Sequence, residues 1–92
     1  MIDIEDIAKL LAEIDDPTLI RNFLNQLLTE AEVERICKRW ELVQLLHKGH
    51  SQREIAERLG LSLCNITRGS RELKKANSAF MKILKMEDEK NE

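Results

Sequence analysis

The decapeptide ITRGSRELKK, Ile66 to Lys75, concentrates the chain's most reactive surface chemistry. On a helical wheel at about 100° per residue, Arg71, Cys64, Lys75, Arg68, Glu72 and Asn65 share a polar side opposite Ile66 and Leu73. Guanidinium and ammonium groups on one helix face attract phosphate or carboxylate oxygens. Gly69 interrupts this helix, where a glycine costs roughly 1 kcal/mol relative to alanine. The wheel puts it at the border of the apolar stripe and the polar face, a notch with an apolar wall and charged lips. Such a notch admits either a small ligand or a closely packed neighbouring helix.

The preceding residues supply a frame for that face. In SQREIAERLGLSLCNITRGS, residues 51–70, Ile55 and Leu59 lie four apart and face inward. Ala56 permits a close helix crossing, Gly60 falls where a positive φ is needed, and Leu61 plugs the angle between two helices. Ile66 continues the core. Helix, short turn and helix with this spacing make a helix-turn-helix over residues 51–75, against the plainer reading of two ordinary packed helices. In such motifs the second helix enters the major groove and its N-terminal residues reach base edges. Candidate DNA contacts on it are Leu63, Cys64, Asn65, Thr67, Ser70, Arg71 and Lys74. Gln52 and Arg53 open the preceding helix, whose first amides favour phosphate. Arg58 and Lys75 add salt-sensitive attraction.

Charge is distributed to match. The 92 residues carry a net charge of −2, yet residues 1–34 hold nine acidic and two basic side chains. Residues 35–75 reverse this, with ten basic and four acidic. The central field is the one that matters for a polyanion, although mixed solvated helix surfaces would give the same count. His47 and His50 lie three apart, but no cysteine or carboxylate completes a metal set. No nucleophile–base pair or phosphate loop can be assembled, so an enzyme is not expected. No apolar run is long enough to span a bilayer and the N-terminus is acidic, unlike a signal peptide. Cys37 and Cys64 form no CxxC pair and read as reduced thiols. A cytoplasmic protein follows, with no membrane partner.

The elements that position these residues read as helices throughout, giving an all-α chain of six short helices in a single domain, 1–92. Ile4, Ile7, Leu10, Leu11 and Ile14 recur at helical spacing over residues 3–14. Asp16-Pro17 opens a second helix to about Leu28, whose broad apolar pattern predicts burial on more than one side. Thr29 and Glu32 form a T-x-x-E box at the start of a long helix carrying Val33, Ile36, Trp40, Val43 and Leu46, which ends near Gly49. Ser51 and Glu54 repeat that box, and Ser62 can cap the next helix. Phe80, Ile83 and Leu84 predict a last helix with a frayed tail, MEDEKNE. So small a chain buries a limited core, which makes a dimer a reasonable expectation.

LLTEAEVERICKRWELVQLLHKG followed by SQREIAERLGLSLCNITRGSRELK resembles the bacterial tryptophan repressor family over roughly residues 27–75, with SQRE and ITRGS the most specific parts. The resemblance implies an intertwined homodimer that binds L-tryptophan as corepressor and then a double-stranded operator, repressing genes of tryptophan biosynthesis or uptake. It implies that the indole lies between Arg39 and Arg68, with Arg68 also meeting the ligand carboxylate and Gly69 giving room beside the ring. The ligand's amino group would be held by backbone carbonyls near the partner subunit's Gln26 and Leu28, close to Thr29.

Several positions depart from the family pattern. Glu72 stands where a serine usually helps hold the amino group, so its carboxylate either pairs with that ammonium or opposes the ligand carboxylate. Asn65 replaces a threonine, Ala56 a lysine and Arg71 an asparagine, and the loop at GHSQ is one residue shorter. A helix-turn-helix regulator with another effector or none, and a module docking an acidic protein surface, are the other readings.

Overall fold

A computed structural model describes residues 1–90. Six α-helices make up its regular structure: α1 (Ile4–Ala12), α2 (Pro17–Leu27), α3 (Glu30–His47), α4 (Gln52–Leu59), α5 (Leu63–Leu73) and α6 (Ala79–Lys90). Two compact units divide the chain, Met1–Glu34 and Arg35–Glu92, with the boundary inside α3.

Local chemistry sets most boundaries. Asp3 and Asp6 form a reciprocal capping box at α1, each backbone N–H donating to the other's carboxylate at 3.0 Å. The Asp16 carboxylate accepts from the Thr18 N–H, and Pro17 fills the first helical position where no donor is needed. The Thr29–Glu32 box is complete, with bonds of 2.9 and 3.2 Å. Each such cap is worth about 1 kcal/mol. The second expected box is half formed. Ser51 accepts from the Glu54 N–H, but the Glu54 carboxylate turns to His50 Nδ1 at 3.1 Å.

In the first unit, α1 and α2 contain no buried residue. The burial expected of α2 is not met within one chain: Leu19 and Leu27 are 53% and 54% exposed. Helix α1 also stops at Ala12, two residues short of the expected end.

The second unit holds a core. Leu42 and Leu45 of α3, Ile55 of α4 and Ile66 of α5 form its buried centre, with Leu46, Ala56, Leu59 and Leu61 packed around them. Each expected contact of the helix-turn-helix is therefore present. Gly60 ends α4 at φ 66°, ψ 31°, a left-handed conformation that a Cβ disfavours. Helix α6 buries Leu84 and leaves Ile83 exposed. It stays helical to Lys90 rather than fraying from Met86, and His47 Nε2 lies 3.2 Å from Asp88 Oδ2, fastening its last turns to the end of α3. Asn91 and Glu92, the rest of the expected frayed tail, lie outside the described residues.

Candidate functional site

Helices α4 and α5 present two sets of polar side chains. Gln52 and Arg53 sit exposed in the first turn of α4, behind the Ser51 cap. On α5, Ser62 accepts from the Asn65 N–H at 3.4 Å, so the helix begins at Leu63. Leu63, Cys64, Asn65, Thr67, Arg68, Arg71 and Lys74 are all exposed. Leu63 is 64% exposed despite its apolar side chain. Ser70 is a correction to the expected DNA-contacting set. It is 9% exposed, unlike the other candidates on α5.

Behind α5 lies a cleft of about 330 Å³ lined by Arg39, Leu42, Val43, Asn65, Arg68, Gly69, Glu72 and Phe80. It brings together Arg39, Arg68, Gly69 and Glu72 from the expected ligand set. Leu28 follows the last turn of α2 and Gln26 lies within that turn, while Thr29 caps α3, all in the first compact unit.

Gly69 has a close neighbour within the protein. A Cβ built on it would lie 3.0 Å from Leu42 Cδ2 and 3.8 Å from Leu46 Cδ1. The glycine lets α5 approach α3, and the cleft opens beside that contact. Close packing and ligand room thus share one residue.

Sequence reasoning left the cleft's apolar surface unassigned. Leu42 and Val43 are buried core residues of α3, and Phe80 comes from α6. Trp40 packs on Phe80, with ring centroids 6.1 Å apart and planes tilted by 55°. Trp40 is therefore a support for the cleft's aromatic wall. Asn65, a candidate DNA contact, also lines the cleft.

Glu72 is the acidic residue of this cleft among the described residues. Its Oε1 accepts from Lys75 Nζ at 2.8 Å. That hydrogen bond, with the added fields of Lys75, Arg68 and Arg71, holds the carboxyl below its ordinary range, against the opposing effect of desolvation. The cleft consequently offers an apolar floor, two guanidinium groups and one carboxylate held ionised. This combination fits a small molecule with an apolar body, a carboxylate and a cationic group, the chemistry of an apolar amino acid.

The chain is similar to proteins of one family. The model of the Trp repressor protein family matches residues 3–88. A Trp operon repressor homolog of Chlamydia caviae is 38% identical over 81 residues, covering 87% of this chain and 80% of the relative. One from Xylella fastidiosa is 35% identical over 74 residues, covering 79% and 80%. A third, from Chlamydia trachomatis, is 30% identical over 79 residues, covering 85% and 84%. No solved structure matches the chain.

Proposed function

The chain belongs to the Trp repressor family, and from that premise we propose that it is a DNA-binding transcriptional repressor that uses L-tryptophan as corepressor. Its role is regulatory, exercised on cytoplasmic DNA at genes of tryptophan biosynthesis or uptake.

The observation that carries the proposal is that one cleft wall is the reading helix itself. Arg68, Gly69 and Glu72 belong to α5, and Arg39, Leu42 and Val43 to α3. An indole between Arg39 and Arg68 stacks on guanidinium planes over the Leu42, Val43 and Phe80 floor. Its carboxylate pairs with Arg68. A ligand seated there favours those arrangements of α5 relative to α3 in which both walls contact it, so binding shifts the population of reading-helix positions. Gln26, Leu28 and Thr29 complete the site from the partner subunit, as the family resemblance implies.

The duplex is met by Gln52 and Arg53 of α4 and by Leu63, Cys64, Asn65, Thr67, Arg71 and Lys74 of α5. Two reading heads about 34 Å apart meet successive major grooves, which requires a homodimer. Support for the dimer comes from α1 and α2, which bury no residue in one chain and leave Ile4, Leu10, Leu19 and Leu27 exposed, Ile4 at 83%. A second copy covering these faces would make the intertwined homodimer that the family resemblance implies.

A different effector is the second reading, favoured by a carboxylate at Glu72 inside the cleft. An operator-library selection with and without L-tryptophan tests the proposal. Enrichment of a palindromic site only with the ligand supports it. Equal enrichment in both conditions rejects the corepressor role, and no enrichment rejects sequence-specific binding.

A further inference from the structure

Glu72 lines one cleft and its ion-pair partner Lys75 lines another. Glu72 stands in the effector cleft beside Arg39 and Arg68, and its Oε1 is tied to Lys75. Lys75 in turn lines a neighbouring cleft of about 560 Å³, with Leu46, Leu73 and Met81 among its apolar walls and Lys74, Lys82 and Lys85 beside it. Glu72 sits in the last turn of α5 and Lys75 just beyond its end, so the ion pair joins a carboxylate in the ligand site to a group of four ammonium-bearing side chains.

We propose that Glu72 and Lys75 form an exchangeable ion pair through which the effector controls DNA binding. The effector's ammonium takes Glu72 from Lys75, and the released lysine adds its charge to the group that meets duplex phosphate. The inference rests on the corepressor reading above.

Three features of the pair suit it to exchange. Its side chains are 38% and 58% exposed for Glu72 and Lys75, and an ion pair so open to water contributes little on its own. Replacing one ammonium by another therefore requires no large free energy. Second, the two charged ends of an amino acid find separate partners, the carboxylate at Arg68 and the ammonium at Glu72, so the ligand need not place its carboxylate against a like charge. Third, the released charge has a use. Lys75 adjoins Lys74, and one further ammonium free to neutralise phosphate steepens the salt dependence of binding by about one counterion. Linkage requires the converse: a phosphate that engages Lys75 frees Glu72 and raises effector affinity by the same factor.

The test uses the full chain, titrated calorimetrically with L-tryptophan and with indole-3-propionate, which lacks the ammonium. Removing the competitor, Lys75→Gln should tighten L-tryptophan about two- to fivefold without DNA and leave indole-3-propionate unchanged. Glu72→Gln should weaken L-tryptophan alone, by about fivefold. With a mixed-sequence duplex, L-tryptophan should steepen the salt slope by about one in the unaltered protein and not in Lys75→Gln. Equal L-tryptophan affinity in all three proteins, or a salt slope indifferent to L-tryptophan in the unaltered one, overturns the exchange alone. No L-tryptophan binding to the unaltered protein at millimolar concentration overturns the corepressor reading and the exchange with it.

Discussion

Leu42 occupies the space that Gly69 leaves open, its Cδ2 only 3.0 Å from where a Cβ would stand. The first consequence of this glycine is the approach of α5 to α3. The ligand's room is adjacent to the contact, because the same residues line the cleft.

Gly69→Leu should therefore lower stability as well as close the cleft, since overpacking a buried position costs typically 1–3 kcal/mol. Gly69→Ala is milder. It gains helix propensity of up to about 1 kcal/mol, while Leu42 must yield a few tenths of an ångström. A double-mutant cycle with Leu42→Val, followed by thermal unfolding, measures the contact. The large-residue penalty should shrink beside the smaller valine. Strict additivity would show that the two positions do not touch.

Arg39→Ala and Arg68→Ala should each weaken L-tryptophan by tenfold or more, on the order of a lost charge-assisted contact in a cleft. Both side chains line the cleft without belonging to the buried core. Their unfolding midpoints should stay close to that of the unaltered protein. Calorimetry paired with a thermal melt separates these outcomes, and a large fall in midpoint would make either arginine a structural residue.

The local parts of this architecture were legible in the sequence because their causes are local. Asp16-Pro17, Thr29 with Glu32, and Ser62 cap the helices expected of them, and Gly60 turns where a positive φ was needed. Ile55, Leu59, Leu61 and Ile66 assemble the expected helix-turn-helix core. Asp3 with Asp6 escaped notice because the familiar box pairs a hydroxyl with a glutamate or glutamine, although two aspartates satisfy the same N–H groups. What a helical wheel cannot supply is the neighbour. It drew Ser70 toward the duplex, whereas helix packing buries it. It also gave no hint that Phe80, far along the chain, would close the cleft over Leu42 and be braced by Trp40. The apolar faces of α1 and α2 were readable as apolar, but the sequence pattern does not say what covers them.

Lys74 and Ser70 make a controlled pair for DNA binding. Exposed Lys74 should contribute to phosphate neutralisation, so Lys74→Ala lowers affinity across all sequences and reduces the salt slope by about one. Buried Ser70 should leave that slope unchanged when altered to Ala. Fluorescence anisotropy at several salt concentrations reads both. A slope change for Ser70→Ala equal to that of Lys74→Ala would mean that its burial is lost on DNA.

The Glu72 carboxyl is held low chiefly by the Lys75 hydrogen bond, which fixes the sign of a pH effect. A carboxyl whose pKa is depressed on folding contributes stability above its unfolded pKa and loses it as pH falls through the folded value. Unfolding curves of Glu72→Gln and the unaltered protein should differ slightly at neutral pH and converge in the acid range below the ordinary carboxylate pKa. Because the pair is solvent-exposed, the difference should be small and should shrink in high salt. Divergence growing toward low pH would reverse the assignment.

The dimer makes the last prediction, and it depends on α1. Ile4 is 83% exposed and Leu10 43% exposed in one chain, on a helix with no buried residue. If a second copy covers that face, each side chain contributes on the order of 1.5–3 kcal/mol when fully buried. Ile4→Glu or Leu10→Glu should then shift the monomer–dimer equilibrium strongly toward monomer, and the unfolding midpoint should cease to rise with protein concentration. The core of Leu42, Leu45, Ile55 and Ile66 lies outside α1, so these variants should retain helical circular dichroism. Analytical ultracentrifugation of either variant decides the matter, since an undiminished dimer would place the interface elsewhere.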